Sequence, residues 1–302
     1  MTHRRAVVLM VLITLMWSTA GVVTRQLEHA RSFEVTFWRS GFNALCLCAV
    51  LCAMRGPALW GQVLRASRRV WASGLCWCVM FTAFMVALTL TTVAQVLVTM
   101  ALGPLMTALF ARLFLHHRLP ARTWAAIVLG SAGIAWMFGQ QMQGGVQGLR
   151  GMLVALCVPL AAASNWTLLQ HHSRPAASRT QQDAPDDMLL AVLLGALLSA
   201  LICLPLAWPL AATHRDLLLL AGMGCFQLAL PCLLVVHLAR VLAAPEIALL
   251  GLLEVVFGVL WAWLGAGEVP AGATLTGGAM VLAALVGNEW LGWRAGAAAQ
   301  AF

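Results

Sequence analysis

Residues 70–111 form a continuous stretch of 42 residues without a single charged side chain. A helix of this length extends about 63 Å, twice the ~30 Å thickness of the hydrocarbon core of a bilayer. A soluble domain does not need an uncharged stretch of this length, so we predict that residues 70–111 cross a membrane twice. The polar run Thr89-Leu-Thr-Thr92 is the expected break between the two helices.

The rest of the chain is similarly apolar. The whole sequence has 62% hydrophobic residues, 9% charged residues and a mean hydropathy of +0.90. These values are typical of a membrane protein. Apolar runs between Arg, Pro, Gly and polar breaks predict an all-α polytopic membrane protein with ten transmembrane helices. The predicted spans are residues 6–27, 33–54, 70–91, 93–114, 123–140, 149–170, 188–210, 217–239, 246–265 and 272–291.

Prolines and glycines inside the spans make two further predictions about helix geometry. Prolines remove a backbone donor and are expected to kink spans four, six and eight, at Pro104, Pro159 and Pro231. Glycines permit close helix contacts, which we expect at Gly130, Gly133, Gly277 and Gly278.

The positive charges are asymmetrically distributed across the predicted membrane. All eighteen basic residues are Arg, and the net charge is +8. With the amino terminus placed inside, thirteen fall on the cytoplasmic side, four fall on the other side, and Arg39 lies within a span. This distribution satisfies the positive-inside rule and predicts cytoplasmic termini in a multi-pass protein of the bacterial inner membrane. Because these charges orient helices in the lipid bilayer, we expect no nucleic-acid partner.

The two halves of the chain repeat each other weakly. Trp17 and Trp166 are each followed by Arg eight residues later, and a stretch around span four aligns with one around span nine at a constant shift of 151. Five spans per half is an odd number, so the second half enters the membrane in the opposite direction. We therefore predict two inverted five-helix repeats, residues 1–143 and 144–302. Such repeats hold a substrate near the bilayer midplane and rock around it.

Three stretches resemble the EamA-type members of the drug/metabolite transporter superfamily. They are Trp17-Ser-Thr-Ala-Gly21 in span one, Phe37-Trp-Arg39 in span two, and Leu253-Glu-Val-Val-Phe257 with Gly267-Glu268 in span nine. The resemblance implies a secondary transporter, with export favoured, of a small organic metabolite or amino-acid-like solute. We expect no cofactor and no enzymatic activity.

The sequence departs from the pattern of this family at two places. It has His116-His117-Arg118 where the family usually has Gly-Glu-Arg, and Val255 where the family has Pro. The acidic corner of the first repeat is therefore either lost or replaced by a titratable His.

Two charged side chains at membrane depth are the leading site candidates. Glu254 lies near the centre of span nine, where an acid costs about 2.5–3.5 kcal/mol on insertion scales and so faces protein or water. We predict that it binds a coupling proton or a cationic group, the alternative being an anchor between helices. Arg39 lies within span two, where it holds a substrate carboxylate, pairs with Glu254, or bonds backbone carbonyls at a helix end.

The remaining site candidates are predicted to line one central cavity that admits water. Trp17 and Trp166 occupy equivalent places in the two repeats, and their faces suit an organic cation or an aromatic ring. Hydrogen-bonding groups at compatible depths come from Ser18, Asn43, Thr82 and Asn165. Bare polar groups are costly in lipid, so these side chains face either a cavity or another helix.

Other functional classes leave weaker signals in the sequence. Cys48 and Cys52 share a helix face, but no further ligands complete a site, so we predict no metal. A membrane-embedded enzyme and a non-transporting channel or scaffold are the alternatives to a transporter. The chain contains neither Gly-x-Ser-x-Gly nor His-Glu-x-x-His, and without Lys it has no Walker motif for ATP-driven pumping.

We predict that a reporter fused after Gln300 is cytoplasmic, because ten crossings return the chain to the side on which it starts. Paired alkaline phosphatase and green fluorescent protein fusions measure this directly, since each is active on one side only. A periplasmic score would contradict the inverted arrangement, which requires an even number of crossings.

Overall fold

The computed structural model describes residues 3–300 except for 31, 57, 115–119, 145, 172–187, 239–249 and 252. All regular structure in this part of the chain is helical, as the sequence predicts. The helices are α1 (His3–Thr24), α2 (Ser32–Arg55), α3 (Ala58–Leu64), α4 (Arg68–Leu90), α5 (Val93–Met100), α6 (Gly103–Phe114), α7 (Ala121–Gly144), α8 (Val146–His171), α9 (Met188–Ala207), α10 (His214–Gly222), α11 (Leu230–Leu238), α12 (Leu253–Ala266) and α13 (Gly272–Gln300). A π-helical segment, Met223–Ala229, joins α10 to α11.

Seven helical segments of the described chain are long and apolar enough to cross a membrane. They are His3–Thr24, Ser32–Arg55, Arg68–Leu90, Val93–Phe114, Gly148–Asn165, Leu189–Ala207 and His214–Val235. Helices α7 and α13, with 24 and 29 residues, occupy predicted spans five and ten. Helix α12 is apolar and has 14 residues, and the first part of predicted span nine lies outside the described residues. The protein is therefore a multi-pass α-helical membrane protein.

The predicted break near Thr89 is confirmed. Helix α4 ends where Thr91 caps it with a backbone N–H bonded to the Ala87 carbonyl. Helix α5 begins after Thr92, whose side chain accepts a hydrogen bond from the Gln95 N–H. Threonine before the first turn of a helix satisfies a backbone N–H that has no partner inside the helix, which favours a new helix start here.

The three prolines have different consequences. A turn at residues 101–102 separates α5 from α6 just before Pro104, which agrees with the predicted interruption of span four. Helix α8 continues through Pro159 without a break. Pro231 follows the π-helical segment, where the backbone bonding pattern already differs from that of an α-helix.

Helices from the two halves of the chain pack against each other throughout the molecule. The most extensive contacts are those of α4 with α8 and α9, α7 with α13, α2 with α9, and α1 with α12. The largest apolar core lies where α4, α5 and α8 meet and includes the fully buried Met85, Leu88, Val96 and Met152. The two halves therefore form one interlocked unit.

Glycines permit the close approach of α7 and α13, as the sequence predicts. A Cβ added at Gly133 would lie 2.7 Å from the Gly277 carbonyl oxygen, and one added at Gly277 would lie 2.6 Å from the Gly133 carbonyl oxygen. The contact of Gly130 with Leu105 is equally tight, at 2.6 Å. Between membrane helices, which gain little from burying apolar surface, such contacts supply much of the attraction.

One end of the molecule is held together by the buried carboxylate of Asp216. It accepts backbone N–H bonds from Glu28, His29, Ala30 and Thr213 at 2.8–3.3 Å. The Thr213 side chain in turn accepts from the Asp216 N–H, which completes a capping box at the start of α10. This carboxylate therefore ties the loop after α1 to the first turn of α10.

An ion pair at the same end joins α1, the α4–α5 break and α12. Arg25 Nε lies 3.2 Å from Glu268 Oε2, and its two other nitrogens donate to the Leu88 and Thr91 carbonyls at 2.6 Å. The second Glu268 oxygen accepts from the Val93 N–H at 2.8 Å. The pair thus satisfies backbone groups that two interrupted helices leave open.

We predict that Gly277→Ala destabilises the protein by about 1–3 kcal/mol, because the added methyl group overpacks the α7–α13 contact. Gly287→Ala on the same helix is the matched control, since a Cβ there meets nothing within 4 Å. Thermal unfolding of both purified variants in one detergent measures the difference. Equal midpoints for the two variants would show that the close contact is not tight in the protein.

Candidate substrate site

Arg39 is a fully buried cation in the middle of the helix assembly. It lies two turns into α2 and is 2% exposed. Its Nη2 donates to Gln227 Oε1 at 3.0 Å, and its guanidinium carbon lies 5.7 Å from the centre of the Phe84 ring. The Nε and Nη1 atoms have no hydrogen-bond partner among the described residues. The guanidinium is thus hydrogen-bonded through Nη2 and lies against the Phe84 ring, while Nε and Nη1 have no partner among the described residues.

Gln227 belongs to a different segment from Arg39 and holds its guanidinium in place. It lies in the π-helical segment, and its Nε2 donates to the Trp17 carbonyl at 2.9 Å. The segment approaches α2 closely, because a Cβ on Gly224 would lie 2.7 Å from the Arg39 carbonyl oxygen and 2.8 Å from the Asn43 nitrogen. Single π-helical turns inside α-helices occur frequently at functional sites. This one brings α1, α2 and the π-helical segment together around one cation.

Asn43 adds a second unsatisfied polar group one helical turn beyond Arg39. The residue is 0% exposed, and neither its amide nitrogen nor its amide oxygen has a partner in the described part of the chain. Side chains four residues apart on a helix are neighbours, and each leans toward the helix start. Asn43 therefore lies on the same face of α2 as Arg39, one turn away.

Glu254 faces the same interior from α12. It is half-buried, lies in the first turn of α12, and interacts electrostatically with Arg39. Among the described residues no nitrogen atom of Arg39 comes within 4 Å of its carboxylate, so the two do not form a direct ion pair. Two turns further, Trp261 Nε1 donates to the Ser18 hydroxyl at 3.1 Å. The helical period therefore turns the Glu254 face of α12 toward α1.

The other predicted site residues are divided among separate networks. Ser18 donates to the Leu15 carbonyl and accepts from Trp261, while Trp17 is half-buried. The Thr82 hydroxyl bonds to Ser199 at 2.9 Å, and Ser199 bonds to Ser40 at 3.0 Å.

Asn165 belongs to a different contact, between α4 and α8, where Ser73 donates to its amide oxygen at 2.6 Å. The neighbouring Trp166 lies in α8, and its side chain is outside the described part of the structure, as is the His116-His117 pair. The structure thus brings Arg39, Asn43 and the Trp17 backbone together, and it places Thr82 and Asn165 elsewhere between the helices.

Three residues that organise this site were not among the predicted ones. Gln227 bridges Arg39 to α1, Phe84 covers the guanidinium, and Ser199 joins α2 to α4. An isolated amide in an apolar span, the signal that selected Asn43, was present for Gln227 as well. Phe84 and Ser199 carry no such signal, because aromatic and hydroxyl side chains are common throughout these helices.

A lipid-facing groove reaches the edge of the site. It lies between α1 and the α10–π-helical segment, has a volume of about 320 Å³, and is lined mainly by apolar side chains that include Met16, Val23 and Phe226. Gln227 is among its lining residues and is the partner of Arg39. Within the described residues, no three His, Cys, Asp or Glu side chains come together in a way that suits a metal ion.

Buried ionisable side chains between membrane-spanning helices are characteristic of proteins that move solutes or ions. Residues 4–139, just under half of the chain, match the EamA-like transporter family. The resemblance that the motifs indicate is therefore confirmed over this part of the chain, which contains the motifs of spans one and two.

The fold also has counterparts among solved structures, of which sixteen chains match. One is a crystal structure of a protein with 19% sequence identity, which superposes with a TM-score of 0.64 over 96% of this chain and 98% of its own. This likeness concerns the fold alone. A comparison with curated proteins gives no match.

We predict that Gln227→Leu lowers the unfolding free energy by about 2–3 kcal/mol, because it leaves a buried guanidinium without its hydrogen-bonded partner. Gln62→Leu is the matched control, since Gln62 also accepts from an Arg (Arg55, 3.1 Å), but at the surface. Surface changes of this kind stay within about 0.5 kcal/mol. Denaturant titration of both purified variants checks the difference, and similar losses would mean that burial of Arg39 does not depend on Gln227.

Proposed function

We propose that the protein is a secondary transporter that exports small organic solutes across the bacterial inner membrane by alternating access. In this proposal ten spans form two inverted five-helix repeats, residues 1–143 and 144–302, and both termini are cytoplasmic. The observation that carries the proposal is the symmetry of the contacts between helices.

An inverted repeat exchanges span one with six, two with seven, three with eight, four with nine and five with ten. The contacts of α2 with α9 and of α7 with α13 map onto themselves under this exchange. The contact of α4 with α8 maps onto that of α1 with the π-helical segment and α11, which is also present. Likewise, the contact of α6 with α8 has its counterpart in that of α1 with α12. A chain without this symmetry is not expected to show helix contacts that correspond in this way between its two halves.

The bonds at one end of the molecule also support the proposed topology. The Arg25–Glu268 pair and the Asp216 carboxylate gather the loop after α1, the α4–α5 break, the start of α10 and the end of α12. All of these segments are predicted on the outer side. Alternating crossings require such a grouping, because every second loop lies on the same face.

We propose Glu254 as the residue that couples transport to protons. It is half-buried within the helix assembly and forms no direct ion pair with Arg39, and an acid at this depth is typical of a proton site. The substrate cavity is proposed between this face of α12, α1 and α2, with Trp17, Ser18, Arg39 and Asn43 on its walls. Thr82, Asn165 and Trp166 are proposed to extend it along α4 and α8.

We predict that Glu254→Gln abolishes proton-driven transport while exchange at equal pH partly survives, because the amide keeps the shape but cannot release a proton. Proteoliposomes given a panel of radiolabelled amino acids, with and without a pH gradient, measure both activities. Glu28→Gln is the control, since Glu28 pairs with Arg215 at the exposed outer end. An unchanged response to the gradient in Glu254→Gln would make Glu254 a structural anchor instead.

A further inference from the structure

Arg39 and Asn43 together present four buried polar atoms that have no partner in the described structure. They are Nε and Nη1 of Arg39 and both amide atoms of Asn43. Buried polar groups are nearly always hydrogen-bonded, and an unpartnered charged group is the costliest exception. Two such side chains on adjacent turns of α2 make this a built site rather than a chance defect.

The missing partner is an anion, because the charge of Arg39 is not neutralised within the described protein. Glu34, which lies on the same helix, accepts from the N–H groups of Ala211, Ala212 and Trp38 through Oε1, and its Oε2 has no hydrogen-bond partner among the described residues, so it does not bind Arg39. Glu254 interacts with Arg39 only at a distance beyond that of an ion pair. A group that enters the site therefore gains both a free cation and free hydrogen-bond donors.

The geometry of the free donors suits a carboxylate. The guanidinium is planar and offers its donors as a fork that matches two oxygen atoms. Each fork pairs Nη2 with either Nε or Nη1, and Nη2 has two N–H groups, of which Gln227 takes one. The second Nη2 N–H and the unpartnered nitrogen beside it therefore remain as the available pair, with the third nitrogen as a further free donor. The Asn43 amide, one turn away, adds donors and an acceptor beside them.

We propose that Arg39 and Asn43 form the binding site for a carboxylate group on the transported solute, so that the substrates are small organic acids or other carboxylate-bearing metabolites. This inference rests on the proposed function, which leaves the class of solute open. The fork of Arg39 binds the two carboxylate oxygens, and Asn43 bonds the adjacent part of the solute.

Asn43→Asp tests the site with the smallest possible change. The new carboxylate lies four residues from Arg39 on the same helix and occupies the site from within. We expect the ligand-free variant to melt at a higher temperature than the wild type, while the affinity for carboxylates falls at least tenfold. Asn43→Ala is the comparison variant, because it removes the amide without supplying an anion; it does not gain stability, and its affinity for carboxylates falls less than that of Asn43→Asp because Arg39 stays free.

The probes are amino acids and short mono- and dicarboxylic acids, each tested beside its methyl ester and beside inorganic phosphate. Thermal shift of the purified protein in detergent is the readout. The proposal requires that at least one acid raises the melting temperature, that its ester does not, and that Arg39→Gln loses the effect while Arg215→Gln, at the exposed outer end, retains it. Equal shifts by acid and ester, binding of phosphate alone, or no shift with any acid would each overturn it.

Flux measurements separate this inference from the proposed function. One possible outcome is that proteoliposomes show counterflow of a solute without a carboxylate and that Arg39→Gln does not change it. This result would support the transporter function and reject the carboxylate site. Binding of an acid that depends on Arg39, without any counterflow of that acid, would support the site and reject transport. Because Asn43→Asp is judged by a gain in stability, a folding failure of Arg39→Gln does not decide the outcome.

Discussion

The structure depends on one constraint, which is that the hydrocarbon core contains no water to satisfy a polar group. Backbone groups meet this requirement inside helices, and many hydroxyl groups donate back to a carbonyl three or four residues earlier, as Thr14, Ser18 and Thr24 do. At the helix ends, Asp216 and the Arg25–Glu268 pair serve the groups that helices leave open. In the described part of the chain eight buried side-chain atoms escape this rule, and four of them belong to Arg39 and Asn43.

The same absence of water changes what holds the helices together. Lipid is as apolar as the side chains that face it, so the attraction between helices comes from close packing and from hydrogen bonds. Glycines mark close contacts between helices: Gly74 and Gly195 between α4 and α9, Gly224 against α2, and Gly258 against Leu97 of α5.

The sequence predicted the features that arise from local chemistry and missed those that depend on packing across helices. The α4–α5 break was readable because Thr caps are local, and Arg39, Asn43 and Glu254 stood out as polar residues in apolar spans. The π-helical segment, in which Gly224 lies close against α2, was not readable from the local sequence. The bridge from Gln227 to Trp17, 210 residues apart, was equally hidden. Whether the halves are inverted repeats stays a prediction, which the matched helix contacts support.

The separation of Arg39 from Glu254 has a mechanistic consequence within the proposed function. A direct ion pair would satisfy both groups and leave neither free to bind a solute or a proton, whereas their interaction at a distance leaves both available. A solute that brings negative charge to Arg39 changes the electric field at Glu254, so occupancy of one position alters the proton affinity of the other. Linkage of this kind is reciprocal by thermodynamic necessity. Two charges held apart in a medium without water therefore supply the linkage between binding events that coupled transport requires.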